Sequence, residues 1–323
     1  MKKDFFKLLL ILLAFKLLSS CESKSNFNVD VSGVQANVDL IRFDKEFYGG
    51  DTARLANIKK KYKFLFPESV PDSVWKVKMK DSLLLDLKIQ VDSVFPDLEN
   101  EKNQIKNLFQ HIKYYFPDWK EPKIYTLYSD WNYLMRSVYR DTVLFLPLDN
   151  YLGADNRIYK GVPNYVRQNL IRKRMPIEIA RSIAEKQVPV NKKKDFLSEM
   201  IYHGKILYLL DVYLPQMPDY LKIGYDEEKL EWAKENEEDI WKYFISKDYL
   251  YSFNMGLRRR FIDLAPYSKF YSEKDMESPG KIGQYTGWQI LRSFMKKNKV
   301  SLQQMSNTSE EDIFKQSKYK PRK

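Results

Sequence analysis

One cysteine stands in 323 residues, and it is Cys21. Histidine is nearly as scarce, with two residues, and glycine contributes only 11. Each shortage removes a class of chemistry. A lone cysteine excludes an internal disulfide, so packing alone must stabilise the body. Once acylated, it is also excluded as a thiol nucleophile. His111 and His203 fall on separate predicted helices, and a structural or catalytic zinc site needs more ligands than either position supplies. No glycine-rich phosphate loop and no Gly-x-Ser-x-Gly elbow occurs. Beyond the first twenty residues, no apolar run is long and charge-free enough to span a bilayer.

What is present begins at the N-terminus. Lys2 and Lys3 precede the unbroken apolar run Leu8 to Phe15, which closes on Leu18-Ser19-Ser20-Cys21. This is a secretory signal of the lipobox form, in which the cysteine becomes the new N-terminus and carries lipid. The run is far short of the roughly 20 residues of a membrane-spanning helix. The expectation is an exported bacterial lipoprotein held to a membrane by acyl chains on Cys21. Residues 1–20 are then a signal peptide and 21–36 a lipidated tether. Residues 37–300 form a single globular domain, and 301–323 a polar, basic and partly disordered tail.

The formal charge is +12, and loss of a leader with four lysines and one aspartate leaves about +9. For an exported chain this excess favours anionic lipid headgroups or an acidic partner over nucleic acid. The 43 acidic residues are interspersed with the basic ones, so runs such as Lys192-Lys193-Lys194 and Arg258-Arg259-Arg260 read as solvated faces.

Val38 to Phe43 suits a first strand. Helices are predicted at 51–65, 72–94 and 98–115, each closed by an aromatic–proline step (Phe66-Pro67, Phe95-Pro96, Phe116-Pro117). Proline lacks the N–H and disfavours helix in the residue before it. Lys123 to Tyr128 and Asp141 to Leu146 read as strands. Further helices are predicted at 163–172, 176–187, 195–214, 226–244, 247–261 and 285–298. Phe196 to Leu214 is nearly all apolar and should be the most buried. The whole is an α+β domain, mainly helical with a small mixed sheet.

The helix from Pro176 carries the candidate chemistry. Glu178, Arg181, Ser182 and Glu185 share one arc of it, and the apolar residues the other. Placed after a buried strand, it resembles the active helix of zincin metallopeptidases, where His-Glu-x-x-His puts two imidazoles on one zinc and the Glu acts as base. Glu178 fills the glutamate position. The histidine positions hold Ile177, which cannot ligate, and Arg181, which stays protonated and repels a metal. Glu199 stands where a zincin would place a glutamate on the next helix, with His203 one turn on. The bland alternative is a solvated charged stripe, with His203 hydrogen-bonded in the core, for instance to Glu199. No metal and no cofactor is expected. Arg181 is expected to supply the lost positive charge, within hydrogen-bond reach of Glu178, Glu185 or Glu199.

These features in order resemble the GldB family, the gliding-motility lipoproteins of Bacteroidetes. The residues that carry the resemblance are Leu18 to Cys21, Val38-Asp39-Leu40-Ile41-Arg42-Phe43-Asp44, Leu146-Pro147-Leu148-Asp149-Asn150-Tyr151-Leu152-Gly153 and Ile177 to Arg181. Glu199-Met200-Ile201-Tyr202-His203-Gly204-Lys205 and Gly283-Gln284-Tyr285-Thr286-Gly287-Trp288 complete the set. The resemblance implies a role in gliding motility and in the linked type IX secretion machinery. It also implies a zincin-like scaffold that has lost its ligands, and no catalytic residue carries over. The resemblance implies other motility and secretion envelope proteins as partners; the membrane follows from the Cys21 anchor, and Glu22-Ser23-Lys24, without a strong acidic cluster, points to a periplasm-facing chain. The competing readings are a peptidase-like envelope hydrolase using Glu178 and Glu199, and a binding module for an acidic polymer.

Overall fold

Capping side chains and prolines cut the chain into shorter helices than its apolar periodicity alone suggests. In the computed structural model, residues 27–49, 51–190, 192–273 and 275–322 are described. The leader and Cys21 therefore lie outside the described residues. The body begins at Val31. β1 (Leu40–Ile41) and α1 (Phe43–Phe47) open it, followed by α2 (Leu55–Lys61), α3 (Asp72–Lys80), α4 (Ser82–Val94) and α5 (Glu99–Tyr115). Then come β2 (Lys123–Leu127), β3 (Val138–Arg140) and β4 (Val143–Pro147). The second half is helical: α6 (Asn164–Arg167), α7 (Met175–Gln187), α8 (Phe196–Tyr213), α9 (Asp219–Ile223), α10 (Glu227–Glu235), α11 (Glu237–Ser246) and α12 (Met255–Phe261). α13 (Ile282–Lys297), α14 (Leu302–Asn307) and α15 (Glu310–Ser317) close it. Helix accounts for 56% and strand for 5%, which makes the fold α+β and mainly helical.

The one helix expected over 72–94 is two, because Asp81 turns extended and its carboxylate accepts from the amides of Leu83 and Leu84. That is an N-cap, and it satisfies donors the helix start would otherwise leave open. Asn236 divides the expected 226–244 helix in the same region of sequence pattern. Asn254 caps α12, so the helix expected from 247 starts only at Met255.

The sheet runs β1-β2-β4-β3. β1, β2 and β4 are parallel neighbours, with Ile124 opposite Leu144. β3 pairs antiparallel with β4, Val138 opposite Phe145, through a turn in which Asp141 adopts φ +49°. β3 is an edge strand that the sequence reading did not contain.

Two terminal segments differ from expectation. The described end of the tether is packed: Val31 and Ala36 are buried, and the Gln110 amide donates to the carbonyls of Val31 and Val34 at 3.3 and 2.9 Å. The tail beyond 301 forms α14 and α15. Leu302, Met305 and Ile313 are buried, and Ser301 with Gln304 forms a capping box. Lys205, buried on α8, donates to the carbonyls of Ser306 and Thr308 and to Glu310, so a charged side chain of the core anchors the segment.

α8 is the central helix, as its composition predicts, with its residues buried on almost every side. It crosses α13 backbone to backbone at Gly204 and Gly287. Beside the crossing, Asp211 accepts from Trp288 Nε1 at 2.9 Å, from Arg292 Nε and Nη2 at 2.8 Å each, and from Lys222 at 3.0 Å. One buried carboxylate thus ties α8, α9 and α13 together. Asp44 and Asp149, in two further resemblance segments, are likewise structural. Asp44 pairs with Arg42 and accepts from the Thr126 hydroxyl beneath the sheet. Asp149 accepts from the amide and hydroxyl of Ser129, and burial pushes its carboxyl up to about 6.

Candidate functional site

α7 starts with Pro176 in its first turn, where a missing N–H costs nothing. It lies against β3, and Ser182 and Ser137 share a hydroxyl hydrogen bond at 3.1 Å. Ile177 is fully buried in the core. Glu178 is 8% exposed and faces two arginines. Arg174, one turn earlier and 2% exposed, donates Nη2 to Glu178 Oε1, and Arg136, in the approach to β3, donates Nη1 to the same oxygen at 3.2 Å. Arg174 also donates to the Leu221 carbonyl. Burial alone would push the Glu178 carboxyl up, but the charges of Arg174, Arg136 and Arg181 outweigh it and hold it well below the carboxylate range.

Arg181 does not take the role expected of it. Its guanidinium donates to the Lys222 carbonyl at 3.1 Å, and it reaches Glu178 only through the field. The positive charge that Glu178 needs comes instead from Arg174 and Arg136. Glu185 projects to the exposed side of α7. Glu199, 6% exposed on α8, is held by Arg258 of α12, with Lys194 at 3.6 Å. The solvated-stripe alternative therefore fails for Glu178; Glu185 is exposed as a residue, but partial burial pushes its carboxyl up against the charge of Arg181.

His203 also departs from expectation. It makes no hydrogen bond with Glu199, and its Nε2 is buried without a partner among the described residues. Part of the imidazole reaches the surface while that nitrogen is covered. Burial, reinforced by Arg181, Arg258 and Lys281, pushes its pKa down to about 3. The unfolded chain accepts a proton near 6.5 and the folded chain does not, so stability falls as pH drops from 6.5 towards 3. Relative to His203→Phe, the parent should lose about 1–2 kcal/mol between pH 7 and pH 5, read by urea unfolding at the two pH values. A parallel pH response of the two proteins would show that the imidazole titrates freely in the fold. His111 lies elsewhere on α5, where its Nδ1 bonds the Asn107 carbonyl at 2.9 Å.

The residues present do not fit a zinc ion. Ile177 has no donor atom, Arg181 is cationic, Glu199 is taken by Arg258, and the free nitrogen of His203 faces three positive groups. Among the described residues, no three His, Cys, Asp or Glu side chains gather as a ligand set. What α7 and α8 bring together is a buried ion-pair cluster. Arg174 was findable in the sequence as an i, i+4 partner of Glu178. Arg136, Arg258 and Lys281 come from other elements, and no periodicity on α7 announces them.

Fold and site together define a mainly helical α+β domain with a charge-rich centre and, among the described residues, no assembled metal site. Among the described residues, no helix is long and apolar enough to cross a membrane. The family model described as gliding motility protein GldB matches residues 24–321. The chain belongs to this family, and its role lies in gliding motility. The family is one of lipoproteins, which fits a membrane-anchored chain. No curated protein and no solved structure matches the chain.

Proposed function

We propose that the chain is a lipid-anchored envelope protein that supports the gliding apparatus, and the type IX secretion machinery linked to it, as a non-catalytic scaffold or assembly factor. The observation that carries this reading is the engaged state of Glu178. A general base works best when its pKa lies near the operating pH. The Glu178 carboxyl is held far below that by the two arginines on its oxygen. Glu199 is ion-paired with Arg258. With isoleucine and arginine at the two ligand positions, the helix reads as a peptidase-like scaffold put to another use, as folds commonly are. The working surface would then meet other envelope proteins. Acyl chains on Cys21 would hold it to the membrane, periplasm-facing, each buried CH₂ contributing about 0.8 kcal/mol.

The test is genetic. A strain lacking the protein should fail to spread and should secrete surface adhesins poorly. Restoring the parent chain should recover both, whereas Cys21→Ser should recover neither despite normal folding. A deletion strain that spreads and secretes normally would overturn the proposed role. Full rescue by Cys21→Ser would overturn the anchor.

A further inference from the structure

The centre around Glu178 holds more positive than negative charge. Arg136 enters from the approach to β3, Arg174 and Arg181 from α7 and the turn before it, and Lys281 from the residue capping α13. Glu178 is the carboxylate they share, and Glu185 faces Arg181 from the solvent side. Three guanidiniums against two carboxylates leave positive charge in excess, and burial together with their repulsion holds the Lys281 ammonium well below its usual range. Lys222, close by, does not add to the excess, because it is paired with Asp211 and Asp219. Buried charge left uncompensated is costly.

Several donors in this centre are also uncommitted. Nε of Arg174 and Nη2 of Arg136 are buried with no partner among the described residues, and so is the hydroxyl of Tyr225. Arg174 itself is 2% exposed, so its free N–H has no route to bulk water at its own surface. Lys281 donates to the Ile223 carbonyl and lies 5.7 Å from the Tyr225 ring. Its backbone is left-handed at φ +60°, a conformation that costs a non-glycine residue and is retained where the surroundings demand it. A methyl group at Gly224 would lie 3.2 Å from Lys281 Nζ and 3.3 Å from Arg174 Nη1, so the two cations meet at that point of the chain. Gly224, Tyr225 and Lys281 in turn line a cleft of about 320 Å³. The cleft reaches the cluster at Lys281, and the three arginines lie behind its lining.

We infer that this cluster is a binding site for a phosphate-class oxyanion, which enters through the cleft beside Lys281 and is held by Lys281, Arg181 and the free donors of Arg174 and Arg136. A guanidinium presents parallel N–H groups that match phosphate oxygens. A phosphate dianion would balance both the surplus guanidinium charge and the Lys281 ammonium that its arrival favours, which a single carboxylate would not. The site is independent of the proposed scaffold role, and its test uses no motility phenotype.

The test takes the full lipidated chain in phosphate-free detergent and follows thermal unfolding and calorimetric binding. Inorganic phosphate and short-chain phosphatidate are titrated separately against sodium chloride of equal ionic strength. At about a hundredfold excess over Kd, the ligand should raise Tm by about 5 °C. A response to inorganic phosphate assigns the site to free phosphate or its monoesters. A response to phosphatidate alone assigns it to a lipid headgroup. Arg181→Gln should weaken binding at least about tenfold. That variant loses only the bond to the Lys222 carbonyl and strands no hydrogen-bonded carboxylate. Lys281→Met provides a second variant with the same expectation. The inference is overturned if neither ligand exceeds the salt control, or if the shift survives both substitutions.

Discussion

Gly287→Ala should yield a protein without the parent's cooperative unfolding transition, while Gly33→Ala should unfold like the parent. A Cβ at Gly287 would fall well under 3.0 Å from the carbonyl of Met200 on the facing helix, and one at Gly204 would meet the carbonyl of Gly287. Overpacking a core usually costs about 1–3 kcal/mol, because side chains shift to make room. Here the obstacle is backbone on both sides. The helices themselves must move apart, and the fully buried Trp288, Ile201 and Leu291 around the crossing lose contact together. The expected cost is about 5 kcal/mol or more, at the extreme of single substitutions and comparable with the whole stability of many domains. Gly33 has nothing within 4 Å of its would-be Cβ, so its change should stay within about 0.5 kcal/mol. Urea unfolding followed by circular dichroism measures both. A Gly287→Ala transition within about 2 kcal/mol of the parent would mean that the helices are not in backbone contact.

The crossing also explains what the resemblance segments have in common. Gly204 and Gly287, Asp44 and Asp149 are all residues whose type the packing dictates. Two permit close approach, and two are buried carboxylates with fixed donors. Among the described residues, these four positions of the resemblance segments serve the fold. They name the family without naming a reaction.

What the sequence disclosed divides along the same physical line. Local rules were legible: proline ends α5 near Phe116, and the apolar run Phe196 to Leu214 becomes the central helix. Choices settled by distant parts of the chain were not. Val138-Tyr139-Arg140 is too short to read as a strand until β4 lies beside it. The polar composition of the tail hides that Lys205, a hundred residues away, reaches out to hold it. Glu178 was identified as the centre of the site, but its counter-charges were misassigned. Helix periodicity reports neighbours on one face, and Arg136 arrives from another element. Arg181 was the cation chosen on the arc, in place of Arg174 one turn before Glu178, and it turns away to a backbone carbonyl.

Glu178→Ala should destabilise the protein by about 3–5 kcal/mol. The carboxylate is 8% exposed and receives Arg174 and Arg136 on one oxygen. Removing it strands two guanidiniums, one of them 2% exposed, in a centre that already holds surplus positive charge. The sign carries the functional argument. Catalytic carboxylates sit in sites whose strain and unpaired charge lower stability, so truncating one commonly leaves the fold unchanged or firmer. A structural ion pair responds in the opposite direction. The pH dependence gives an independent reading. The folded carboxyl lies below its ordinary 4.5, so its contribution is fully present above that value and is lost as pH falls through it towards the folded value. The gap between parent and variant should be constant from pH 8 to about pH 5 and should close below 4.5. Urea midpoints at unchanged m-values across this range provide the measurement. A variant as stable as the parent at pH 7 would remove the main support for the scaffold reading and return Glu178 to candidacy as an acid–base group.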